Sequence, residues 1–121
     1  MTRKPKIFIY SEEYEILSSL YISLVLSDYE VEATNDPAEV SHRMNRLQPD
    51  LVLLNPKLSS LTHHALYEQV KAQQNVRIML VGCSHCLQQA RQKGLQADEY
   101  LEQPVQRQKL EEKLDLLLKR A

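Results

Sequence analysis

Glycine is nearly missing from this chain: 121 residues hold two, Gly82 and Gly94. A loop that cradles phosphate with backbone amides needs several glycines close together, so dinucleotide-binding and P-loop motifs are excluded. Charge of one sign is missing as well, with 15 basic against 16 acidic side chains and a net charge of −1. No global field therefore draws the molecule to nucleic acid or to an anionic membrane. Nor is there a basic recognition helix or a basic stripe interleaved with aromatics. No apolar run approaches the roughly 20 residues that a membrane-crossing helix needs. The basic start, Met1-Thr2-Arg3-Lys4-Pro5-Lys6, is followed by only about five apolar residues before Ser11-Glu12-Glu13, too few for the apolar region of a signal peptide. A cytoplasmic location is expected. The two cysteines, Cys83 and Cys86, are expected there as reduced thiols.

What is present is an alternation. Apolar residues make up 43% of the chain, enough for one domain over 1–121 with one core. Lys6–Tyr10 reads as a buried strand. Glu13–Ser27 reads as a helix, with Ile16, Leu17, Leu20, Tyr21, Leu24 and Val25 on one stripe and Ser11 as its N-cap. Tyr29–Ala33 is a second, short strand. Asn35-Asp36-Pro37 opens a helix that runs through Val40, Met44 and Leu47 and ends before Pro49. Asp50–Leu54 is a third strand, Pro56–Ser60 a loop and Leu61–Ala72 a third helix. Val76–Val81 is a fourth strand, and Ser84–Lys93 a helix closed by Gly94. Ala97–Leu101 is a weak fifth strand, and Gln106–Arg120 a last helix with Leu110, Leu114, Leu117 and Leu118 inward. Five βα units in succession predict an α/β fold: a single doubly wound five-stranded parallel sheet flanked by five helices. Continuous apolar runs in the first, third and fourth strands fit strands covered on both faces. No repeat, low-complexity segment or linker interrupts the pattern.

Ligand sites in such sheets lie beyond the carboxyl ends of the strands. The third strand reads Asp50-Leu51-Val52-Leu53-Leu54-Asn55, so it delivers one polar residue to that edge. Ser11-Glu12 follows the first strand and Gly82-Cys83 closes the fourth. The fifth reads Ala97-Asp98-Glu99-Tyr100-Leu101-Glu102-Gln103-Pro104. Placed at this spacing, these segments resemble a response-regulator receiver domain (CheY-like) over essentially the whole chain. The resemblance implies a flavodoxin-like sheet of strand order 2-1-3-4-5. It also implies a phosphorylation site on that edge, built from an aspartate nucleophile, paired acids that hold Mg²⁺, a hydroxyl and a lysine.

Residue by residue the chemistry departs from that pattern. The nucleophile position holds Asn55, one acid position Ser11, the hydroxyl position Gly82 and the lysine position Gln103, and only Glu12 keeps an acid. A carboxylate is needed to form an acyl phosphate, and Mg²⁺ prefers hard anionic oxygens. Deamidation of Asn55 needs attack by the next backbone N–H, which Pro56 lacks. The resemblance is thus to the degenerate, pseudo-receiver branch, without phosphotransfer at Asn55, with Mg²⁺ binding weak or absent, and with no enzymatic activity.

The expected function is a signalling module that binds another signalling protein or its own output domain. The resemblance places that contact on the face of the fourth helix, fifth strand and fifth helix, with Tyr100, Glu102, Arg107 and Leu116 as contact residues and a homodimer as a further form. Tyr100 stands at the aromatic switch position and is expected inward, in the room that Gly82 leaves. An alternative of another class is a ligand, metal or redox sensor that uses the emptied pocket, Glu12, the Cys83-Ser84-His85-Cys86 motif and His63-His64. The structural reading is the stronger: Cys83 stands in place of the family's small residue at the strand end, and Cys86 packs in the fourth helix as a small hydrophobe. A third alternative is the N-terminal regulatory domain of a longer two-component-type protein.

Overall fold

Parallel strands cannot be joined by a tight turn, so each apolar run must be followed by a crossover helix before the next. The structure, a computed structural model, follows that rule and describes residues 3–55, 61–73 and 75–118, with 61–64 as backbone only. The strands are β1 (Lys6–Tyr10), β2 (Glu30–Thr34), β3 (Leu51–Leu54), β4 (Arg77–Gly82) and β5 (Glu99–Glu102). The helices are α1 (Tyr14–Leu26), α2 (Val40–Leu47), α3 (Leu61–Lys71), α4 (Ser84–Gln92) and α5 (Arg107–Leu118). All strand pairings are parallel, in the order β2-β1-β3-β4-β5. The doubly wound sheet predicted from the alternation is therefore the observed one. The loop read at Pro56–Ser60 and the final Lys119-Arg120-Ala121 lie outside the described residues.

Alternate side chains of each strand feed two separate cores. Phe8, Tyr10, Val52, Leu54, Ile78 and Leu80 face α2, α3 and α4, where they meet Val40, Met44, Leu66, Val70, Leu87 and Ala90. Ile7, Ile9, Leu51, Leu53, Met79 and Val81 face α1 and α5, where they meet Leu17, Leu20, Leu24, Leu110 and Leu114. Strands covered on both faces need no polar alternation, which is why β1, β3 and β4 read as unbroken apolar runs. Edge strand β2 is only partly covered.

Local chemistry sets the joints. Asp36 caps a single 3-10 turn, Pro37–Glu39, by accepting the Ala38 N–H at 3.0 Å, with Pro37 in the first turn. Gln48 takes a left-handed conformation (φ 52°) and ends α2 just before Pro49. Gly94, at φ 84°, supplies the turn after α4 that a side chain would strain. Asp50 ties the amino ends of the strands together: its carboxylate accepts the Lys6 N–H at 2.8 Å, and its carbonyl accepts the Arg77 N–H at 3.1 Å.

Two readings of α1 need correction. Ser11 is not its N-cap. That position is Glu13, while the Ser11 hydroxyl accepts the Glu13 N–H at 3.0 Å from outside the helix. Tyr21 and Val25 are not on the buried stripe, which is Leu17, Leu20 and Leu24. Tyr21, Val25, Tyr14, Ile22 and Leu26 are all exposed. The helix is apolar on more than one side, so periodicity alone could not fix which stripe turns inward. In α5, Leu110 and Leu114 are buried, whereas Leu117 and Leu118 are only half-covered at the margin of the core.

Leu53, at the sheet centre and 1% exposed, cannot be truncated without leaving a cavity. Leu53→Ala is expected to lower unfolding stability by about 2–5 kcal/mol, measured by urea denaturation.

Candidate functional site

The sheet ladder continues one residue past the strand ends and so gathers the predicted positions on one edge. The Asn55 N–H donates to the Tyr10 carbonyl at 3.1 Å, Ser11 N–H to the Thr34 carbonyl at 3.4 Å, and Gln103 N–H to the Gly82 carbonyl at 2.8 Å. Ser11, Asn55, Gly82 and Gln103 therefore stand together at the carboxyl edge. The Gln103–Pro104 peptide bond is cis.

Two of these residues are bonded to each other. The Asn55 amide donates from Nδ2 to Ser11 Oγ at 3.0 Å, with Ser11 fully buried and Asn55 6% exposed. Ser11 Oγ also accepts the Glu13 N–H and donates to the Glu13 carbonyl at 3.3 Å. The pair is neutral and buried, and its hydrogen bond offsets part of the cost of burying the two groups. A Cβ added at Gly82 would meet Cys86, Leu87 and, at 3.8 Å, Asn55 Oδ1. These are ordinary van der Waals distances, so the packing of Asn55 and α4 over the strand end does not itself require glycine. Beneath Asn55 a cavity of about 10 Å³ remains, lined by Tyr10, Leu54, Leu66, Tyr67, Leu80 and Leu95. That is room for about one water.

Glu12 is exposed, and its carboxylate accepts the Tyr10 hydroxyl at 3.3 Å. Burial first, and the Glu12 charge and hydrogen bond next, push the Tyr10 phenol up to about 12. Among the described residues, no group of three or more His, Cys, Asp or Glu side chains is placed to hold a metal ion. The side chains of His63 and His64 lie outside the described residues.

Tyr100 is half-buried against the core beneath α4. Its hydroxyl accepts the Ala97 N–H at 3.1 Å, and the Arg91 guanidinium lies 4.0 Å from the ring centre. Ala97 precedes β5 while Gly82 pairs with Glu102 at its far end. The ring is therefore anchored toward the amino end of β5 rather than in the space beside Gly82, against the inward turn expected from sequence. The backbone N–H, a fixed donor, holds the hydroxyl there. On the same face Lys113 donates to Glu99 at 2.8 Å and thereby holds that carboxyl below its usual range. Glu102 and Arg107 are exposed, and Leu116 is 73% exposed.

The two cysteines also differ from expectation. Cys83 and Cys86 are joined as a disulfide, not separate thiols. Cys83 is the N-cap of α4 and Cys86 its third residue, and Cys83 Sγ accepts the Cys86 N–H at 3.1 Å. A helix N-cap side chain folds back over the third helical residue, so a C-x-x-C at this place brings its sulfurs together. The spacing was visible in the sequence; the cap position was the missing signal.

No protein-family profile matches the chain, and no curated protein matches it. Solved structures do. The N-terminal signal receiver domain of a two-component response regulator from Bacteroides fragilis superposes with a TM-score of 0.82 at 20% identity, covering 98% of this chain and 100% of that one. The chemotaxis response regulator CheY4 of Vibrio cholerae gives 0.80 at 17% identity, covering 95% and 99%. The signal receiver domain of a modulated diguanylate cyclase from Desulfovibrio desulfuricans G20 gives 0.80 at 20%, covering 97% and 95%. The fold is that of a receiver domain. Likeness at these identities carries the architecture and leaves the edge chemistry to this chain's own residues. No helix among the described residues is long and apolar enough to cross a membrane.

Tyr10 offers a direct test of the site's electrostatics. Its folded pKa stands above the ordinary value of about 10, so the protonated form is favoured in the fold. The stability this contributes is fully present below pH ~10 and is lost as pH rises toward about 12. Ultraviolet titration of tyrosinate should resolve one group near pH 12 that moves down in Glu12→Gln.

Proposed function

We propose that this chain is a non-catalytic pseudo-receiver: a signalling module that works by protein–protein contact and takes no phosphoryl group at Asn55. The receiver fold suggests two-component signalling. The observation that carries the finer reading is the Asn55–Ser11 hydrogen bond. A receiver's nucleophile must be an anionic oxygen open to the phosphoryl donor. Here the corresponding amide has no nucleophilic oxygen and spends its N–H on a buried hydroxyl.

The same residues do not fit Mg²⁺. The ion wants several hard, preferably anionic oxygens in octahedral array. Of the positions that would hold the ion, Ser11 and Asn55 are neutral and turned toward each other, Gly82 has no side chain, and Glu12 is the one that carries a carboxylate. No step of the function is therefore routed through a metal.

Contact with a partner needs exposed apolar surface ringed by polar groups. The face of α4, β5 and α5 offers Tyr100 under Arg91, Glu102, Arg107 and Leu116, and it is our assigned partner face, for another signalling protein, an attached output domain or a second copy. A cluster of exposed apolar side chains lies elsewhere, on α1: Tyr14 (70% exposed), Ile22, Val25 and Leu26 (68%). It makes α1 the competing face.

Two measurements test this reading. Incubation with acetyl phosphate and Mg²⁺ is expected to leave the intact mass unchanged; a Mg²⁺-dependent phosphoryl adduct that vanishes in Asn55→Ala would overturn it. A partner recovered by the unmodified chain should be lost with Arg107→Glu/Leu116→Glu and kept with Ile22→Glu/Leu26→Glu. The reverse pattern would move the contact to α1.

A further inference from the structure

We infer that Cys83 and Cys86 form a reversible dithiol–disulfide site, exchanging with low-molecular-weight disulfides of the glutathione class. The inference is independent of the partner-binding reading and does not use the degenerate phosphorylation positions.

Three observations carry it. The first is placement: Cys83 caps α4 and Cys86 is three residues on, with Cα atoms 5.1 Å apart, inside the range of about 4.4–6.8 Å that a disulfide spans. The pair therefore closes without moving the backbone. The second is activation. Cys83 Sγ accepts the Cys86 N–H at 3.1 Å and sits at the positive end of α4. Amide donation and the helix dipole both favour a thiolate over a thiol there. The third is access. Ser84 and His85, between the two cysteines, are exposed, and Cys83 and Cys86 are only half-buried. A purely structural disulfide in a core would offer no such approach.

The exchange balances as follows. The Cys83 thiolate attacks one sulfur of the small disulfide, forms a mixed disulfide and expels one thiolate. The Cys86 thiolate then attacks Cys83 Sγ, forms the Cys83–Cys86 bond and expels the second. The protein dithiol is oxidised by two electrons, the small disulfide is reduced by two, and the protons of the two cysteines end on the two released thiols. A reducing dithiol reverses both steps.

The location gives the site a readout. Cys86 Cβ lies 3.5 Å from where a Cβ at Gly82 would stand, so the bond is made directly over the end of β4. At the other end of α4, Arg91 covers the Tyr100 ring. Oxidation thus pins the start of the helix whose far end covers Tyr100.

The test uses the full chain, which contains only these two cysteines, so alkyl groups can be counted by intact mass. After equilibration in buffers of reduced and oxidised glutathione and quenching with N-ethylmaleimide, the count should fall from two to zero in one two-electron transition, and return to two on adding dithiothreitol. In Cys86→Ser, Cys83 should instead accumulate one glutathione per chain. Circular dichroism confirms that each form is folded. Two alkylatable thiols in oxidised glutathione alone, a lasting mixed disulfide in the unmodified chain, or disulfide-linked dimers in place of the internal bond would each overturn the proposal.

Discussion

A parallel strand bonded on both sides and covered on both faces has nowhere to put chemistry except its ends. β1, β3 and β4 are in that position. Their side chains are committed alternately to two cores, so the sheet's order, the short loops and the exposed carboxyl edge follow together. The site positions read from the sequence, Ser11, Glu12, Asn55, Gly82 and Gln103, all lie at or just past a strand end on that one edge.

What the edge does depends on how its polar groups are satisfied. A working receiver would keep oxygens there open and charged. This chain has the opposite solution: a neutral amide and a neutral hydroxyl bonded to each other in a nearly dry site. A net contribution of about 1 kcal/mol is typical of such a bond, but leaving either partner alone would cost about 1–3 kcal/mol. That asymmetry ties Ser11 and Asn55 together.

The neighbouring helix start has a different character. Cys83 and Cys86 stand at the start of α4, just past the end of β4, and are half-buried and joined to each other. Their proximity follows from helix capping geometry, as the aspartate cap of the 3-10 turn at Pro37 does. Tyr100 is held by one hydrogen bond, from the backbone N–H of Ala97 to its hydroxyl, and by the Arg91 guanidinium stacked over its ring. A closed edge, a tethered aromatic and a covalently clasped helix leave a surface set by packing and by thiol chemistry.

The sequence by itself determined the layers, the element order and the identity of the edge residues. Period-2 and period-3.6 patterns are local, and the apolar runs of β1, β3 and β4 can be buried in few ways. It also determined that Asn55 cannot be a nucleophile, since that is a property of the side chain. It left undecided which stripe of α1 turns inward, because Leu17, Leu20 and Leu24 alternate with equally apolar Tyr21, Ile22 and Val25. Only the tertiary structure showed that Ser11 turns to Asn55 rather than capping α1, that Tyr100 bonds upstream to Ala97, and that Cys83 is the cap that reaches Cys86. Each of these turns on where a single hydrogen-bond donor stands, and a donor and acceptor separated by 44 residues in sequence, as Asn55 and Ser11 are, are brought into range only when the sheet forms.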